Sequence, residues 1–143
     1  MKKLFIPSDI FDEMVAHCKA GYPNEACGIL AGKNHEISKI YRMVNSKSST
    51  DLYAMDSKEQ FAVMRDIREQ GLSMVSIFHS HPDAKAYPSQ TDVKLAFYDD
   101  AVYIIVSLTE KEPEVKAFLI TEGTINEVGI VIQDVHAGFR KSD

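Results

Sequence analysis

A largely apolar run, Met74-Val75-Ser76-Ile77-Phe78, leads without a break into His79-Ser80-His81-Pro82. A short run of this kind reads as a buried strand. On a strand, side chains two apart point the same way, so His79 and His81 share one face with Cα atoms about 6.5 Å apart. Ending a buried strand with two imidazoles on one face is costly unless something polar awaits them. The fold must therefore hold a polar site at the end of an inner strand.

The rest of the chain supplies partners for that strand. Residues 8–20 predict a helix, with Ser8 as its cap, Asp9 and Asp12 in its first turn, and an apolar stripe of Ile10, Phe11, Met14, Val15 and Cys18. Gly21 and Pro23 end it. Ala26–Ala31, stopping at Gly32, and Glu36–Val44 read as two strands of a hairpin turning at Lys33-Asn34. Residues 45–52 are polar and turn-rich and are expected to form a mobile surface loop. Asp56 with Glu59 opens a second helix that ends near Gly71 and buries Phe61, Val63, Met64 and Ile67. Pro82–Pro88 is a loop, and Ser89 starts a third helix through about Phe97. Val102–Leu108, Val115–Ile120 and Ile125–Ile132 are three further strands. No linker or repeat divides the chain, so residues 1–143 read as one α/β domain, a mixed sheet flanked by helices.

Charge and composition narrow the function. A net charge of -5 is a poor match to non-specific nucleic-acid binding. The opening Met-Lys-Lys-Leu-Phe-Ile stops at Pro7, short of the roughly 7–15 apolar residues of a secretory signal. No stretch approaches the roughly 20 apolar residues of a membrane span. The expected compartment is the cytoplasm, where Cys18 and Cys27 stay reduced and serve as small apolar residues.

The fourteen residues from His79 to Asp92 hold the chemistry. The loop after His81 lets the chain turn back, and Asp92 follows Ser89 by one helical turn. Two neutral imidazoles and one carboxylate make three protein ligands. A zinc ion held so keeps its fourth position for water, which is the catalytic arrangement. Water bound to zinc can have its pKa lowered to about 7. Peptide hydrolysis also needs a base that is not a ligand and a donor for the developing oxyanion. Ser89, between the histidine pair and Asp92, is placed to be that donor.

The segment resembles the motif of the JAMM (MPN-plus) metallopeptidases: His, Ser or Thr, His, seven residues, Ser, two residues, Asp. Tyr22-Pro23-Asn24-Glu25-Ala26-Cys27-Gly28-Ile29-Leu30-Ala31-Gly32 is similar to that family's glutamate-bearing strand. The resemblance implies zinc on His79, His81 and Asp92, a general acid/base role for Glu25 and oxyanion support from Ser89. It implies the JAB1/MPN fold, similar to that of cytidine deaminases. Short stand-alone members resemble this chain in the Glu-x-Cys-Gly strand. They act on the C-terminal tails of ubiquitin-like or sulfur-carrier proteins, so the implied partner is such a protein.

Plainer readings stand beside these. His79 and His81 could be satisfied core histidines, Asp92 a first-turn acid, Ser89 a helix cap and Glu25 a solvated strand-edge residue. His17, His35 and His136 have no partners at ligand spacing. Two histidines and a carboxylate also hold ferrous iron in oxygenases. A non-catalytic MPN-type scaffold and a RadC-like protein are the competing functions. A zinc deaminase would need Cys-x-x-Cys, which this chain lacks.

Overall fold

The computed structural model describes residues 3–134. Eight strands form one mixed sheet in the order β7-β6-β5-β4-β2-β3-β1-β8. In chain order the elements are β1 (Leu4–Pro7), α1 (Ser8–Gly21), β2 (Cys27–Lys33), β3 (Glu36–Met43), α2 (Ser57–Glu69), β4 (Ser73–His81), α3 (Gln90–Lys94), β5 (Val102–Ser107), β6 (Glu114–Thr121), β7 (Thr124–Val128) and β8 (Ile130–Gln133). The expected mixed sheet flanked by helices is what the chain builds.

The two faces have separate cores. On one, Ile10, Met14 and Cys18 of α1 pack with Leu4, Ile6, Leu30, Phe78 and Ile104. On the other, Ile67 of α2 packs with Cys27, Ile29, Ile77, Tyr103 and Ile105. Strand alternation puts His79 and His81 on the second face, in line with Ile77. Strand β4 lies between β2, antiparallel, and β5, parallel, with Cys27 opposite His79. It is thus an inner strand, and it runs through both histidines rather than stopping before them.

Gly28 sits where β2 passes the Phe78 ring. A Cβ there would lie 2.3 Å from that ring and 2.6 Å from the Tyr41 carbonyl oxygen, so only glycine fits without displacement. The hairpin turn falls on Asn34 and His35, one residue later than expected. Both have positive φ, 52° and 67°, the pairing that matches the twist of a two-residue hairpin.

Other expectations need correcting. Pro7, not Ser8, holds the cap position of α1, and no side chain caps that end. Gly32 does not stop β2, which continues to Lys33 past a register shift. Leu4–Pro7 is a strand that no flanking turn signal announces. Phe61 is 63% exposed rather than buried, with the Arg65 guanidinium 5.2 Å from its ring centroid. Helix α3 ends at Lys94, well before Phe97. The stretch 125–132 is two strands parted at Gly129: β7 stays with β6, while β8 crosses to pair in parallel with β1. The expected mobile loop at 45–52 is tied down by hydrogen bonds, which are described below. His136 lies outside the described residues. Among those described, no helix is long and apolar enough to cross a membrane.

Candidate metal centre

Strand β4 delivers its two imidazoles where α3 begins. His79 Nε2 lies 3.2 Å from His81 Nε2 and 3.2 Å from Asp92 Oδ1, and His81 Nε2 lies 2.9 Å from Asp92 Oδ2. The three candidate ligand atoms fall within 4.8 Å of one another. Both histidines are buried.

Local bonds aim these groups. His81 Nδ1 lies 2.8 Å from the Lys85 carbonyl oxygen. A carbonyl only accepts, so Nδ1 carries a proton, and Nε2 is the ring nitrogen left facing His79 and Asp92. Ser89 and Asp92 form a capping box: the Ser89 hydroxyl accepts the Asp92 amide at 3.0 Å, and Asp92 Oδ2 accepts the Ser89 amide at 2.9 Å. Asp92 therefore caps the helix while its carboxylate also faces both imidazoles. Ser89 serves the cap as an acceptor, which leaves its hydroxyl proton free to donate.

Glu25 precedes β2. Ala26 and Ser80 are joined twice, Ser80 N–H to the Ala26 carbonyl at 2.9 Å and Ala26 N–H to the Ser80 hydroxyl at 2.8 Å. Continuing the Cys27–His79 register from there brings Glu25 beside His81. Glu25 is only 5% exposed, and its Oε1 has no hydrogen-bond partner among the described residues. It is not a solvated edge residue. Burial pushes its carboxyl up to about 8, with His81 opposing and Asp92 and Asp51 adding to the rise. A cavity of about 270 Å³ opens here, lined by Glu25, Asp51, His81, Asp83 and Ser89 among others.

Burial holds the His79 pKa below the ordinary imidazole value. For Asp92, burial pulls upward, but the two imidazoles and the Ser89 amide outweigh it and leave a firmly ionised carboxylate. Two nitrogen donors and one anionic oxygen, with no cationic side chain lining the cavity, suit a divalent ion of the zinc type. His79 Nδ1 is buried without a hydrogen-bond partner among the described residues.

Nothing in the sequence singles out Tyr53, yet its ring stacks on His79 at 4.6 Å between centroids and 23° between planes. Asn45 is equally silent in the sequence and ties the loop before Tyr53 to Glu25. His17 sits apart from the centre, its Nε2 near the carbonyls of Cys27 and Met43. Cys18 and Cys27 are free and buried, as read from the sequence.

A mixed sheet that gathers two histidines and an aspartate beside a buried glutamate is the arrangement of a JAB-type domain. The chain belongs to the family of prokaryotic homologs of the JAB domain, whose model matches residues 7–121. It is 39% identical over 127 residues to the CysO-cysteine peptidase of Mycobacterium tuberculosis, covering 87% of each chain. It is 31% identical over 130 residues to a probable TtuB-protein conjugate cleaving protease of Thermus thermophilus, covering 90% of this chain and 82% of that one. The solution structure of protein DSY2949 from Desulfitobacterium hafniense superposes with a TM-score of 0.84 at 34% identity, covering 92% and 93% of the two chains. The resemblance drawn from the His-Ser-His motif thus points to the right family.

Proposed function

We propose that this chain is a zinc-dependent peptidase or isopeptidase acting at the C-terminal tail of a ubiquitin-like or sulfur-carrier protein. The observation that carries the reading is the convergence of His79, His81 and Asp92 beside a buried Glu25 whose Oε1 has no hydrogen-bond partner among the described residues. The names of the relatives, a CysO-cysteine peptidase and a TtuB-conjugate protease, supply the substrate class.

In this reading His79 Nε2, His81 Nε2 and an Asp92 oxygen hold zinc. Once bound, zinc supplies Lewis acidity to water and to the scissile carbonyl. Glu25 takes the proton of the attacking water at Oε1 and returns it to the leaving nitrogen as the carbon–nitrogen bond breaks. Burial raises its pKa above the ordinary carboxylate value, which makes the ionised carboxylate a stronger base for that proton. Ser89 donates its hydroxyl proton to the carbonyl oxygen as negative charge grows there. A scaffold role is disfavoured because all three ligands and the glutamate are kept.

The test is Glu25→Gln, assayed on carrier proteins extended by one residue or by an isopeptide-linked lysine. Turnover should vanish while zinc content per chain stays at the wild-type level. Retained turnover, or loss of zinc in this variant, would overturn the role given to Glu25.

A further inference from the structure

The Asn45 side chain uses its full hydrogen-bonding capacity. Its Nδ2 donates to the Glu25 carbonyl at 2.9 Å and to the Leu52 carbonyl at 2.9 Å. Its Oδ1 accepts from Lys47 N–H at 3.0 Å and Ala54 N–H at 3.1 Å. The same loop returns a bond to the same residue, since Glu25 N–H donates to the Ser49 carbonyl at 2.8 Å. Both backbone groups of Glu25 are therefore held by residues 45–52, while its carboxyl oxygen Oε1 stays unpartnered. One residue after Leu52, Tyr53 stacks on His79.

A surface loop of this length needs no bond to a neighbouring strand merely to turn. Two of the four Asn45 bonds shape the loop itself; a third fixes the carbonyl that precedes Tyr53, and the fourth fixes the backbone of Glu25. We propose that Asn45 is a positioning residue for the reaction: it sets the backbone of Glu25, and with it the reach of the carboxylate, against the loop that covers His79. This rests on Glu25 being the proton carrier. A proton-transfer group displaced by about 1 Å loses about 10²-fold in rate, which is the scale at stake.

Two substitutions separate positioning from loop integrity. Asn45→Asp keeps the acceptor for Lys47 and Ala54 but loses the donations to Glu25 and Leu52. Asn45→Ala loses all four bonds. Both should lower kcat by about 30-fold or more with KM within about threefold and zinc content unchanged. The plateau of the pH–rate profile should drop in both. An Asn45→Asp enzyme within threefold of wild-type kcat would overturn the proposal, because the loop half of the network alone would then suffice. So would a profile displaced along the pH axis with its plateau intact, which would mark the new charge as the cause. Glu25→Gln is assayed alongside, together with the Glu25→Gln, Asn45→Asp double variant. If Glu25→Gln keeps its activity, the reading of the site fails. If Glu25→Gln is inactive while both Asn45 variants turn over normally, only the role of Asn45 fails. If the double variant is slower than Glu25→Gln alone, Asn45 acts by another route and the proposal is likewise overturned.

Discussion

The Ser80 hydroxyl accepts the Ala26 amide at 2.8 Å inside the sheet. A side chain thus does the work of a main-chain acceptor where β2 meets β4, between the two histidines and one residue from Glu25. Ser80→Ala leaves a buried amide without a partner, at a cost of about 1–3 kcal/mol in urea unfolding. It should also lower kcat while zinc remains bound, since the start of β2 is released from β4. Ser80→Thr keeps the hydroxyl and should restore both. Stability and kcat unchanged in Ser80→Ala would show that the bond is dispensable.

In the proposed zinc site, His79→Ala should strip the metal, because it removes one of the three candidate ligands found among the described residues. Metal analysis of purified protein reads the result directly. Zinc retained at one per chain would mean that the ligand set is wrong.

In metal-free protein the buried Glu25 carboxyl binds its proton up to about 8, against 4.5 when solvated. Between these values the folded state holds a proton that the unfolded state has released. Stability from this group is therefore full below the lower value and is lost as pH rises through the upper one. Asp92 works in the opposite direction: its lowered pKa adds stability above the ordinary carboxylate range that is lost as pH falls. Glu25→Gln isolates the first effect. In chelator-treated protein this variant should lose the decline in urea midpoint that wild type shows toward pH 8. An identical decline in both proteins would assign it to other groups.

Gly28→Ala would drive a methyl into the Phe78 ring and the Tyr41 carbonyl, at 2.3 Å and 2.6 Å. The carbonyl is main chain in the adjoining strand and cannot swing aside. We expect a loss of about 1–3 kcal/mol, read as a lower urea midpoint. Wild-type stability in this variant would mean that the strands can part without cost.

Much of this molecule is legible in its residues because local patterns and tertiary demands agree. The apolar approach to His79, the Ser89–Asp92 spacing and the Asp56–Glu59 start each describe a short segment correctly, since alternation and capping act over a few residues. The errors lie where distant segments decide. Residues 125–132 look like one strand, but Gly129 lets Ile130–Gln133 cross to β1, a pairing with no local signal. Phe61 matches the helical stripe of α2, yet it lies exposed with the Arg65 guanidinium over its ring. Asn45 reads as an ordinary turn residue, because its meaning depends on Glu25, twenty positions earlier.

The capping box joining Ser89 and Asp92 has a thermodynamic corollary. A helix of five residues has no stability of its own, and its first turn depends on a carboxylate that also faces both imidazoles. If zinc binds as proposed, helix order and ion occupancy belong to one linked equilibrium. Amide exchange along residues 90–95 would then gauge how much of the protein is charged with the proposed ion, readable without any substrate at all.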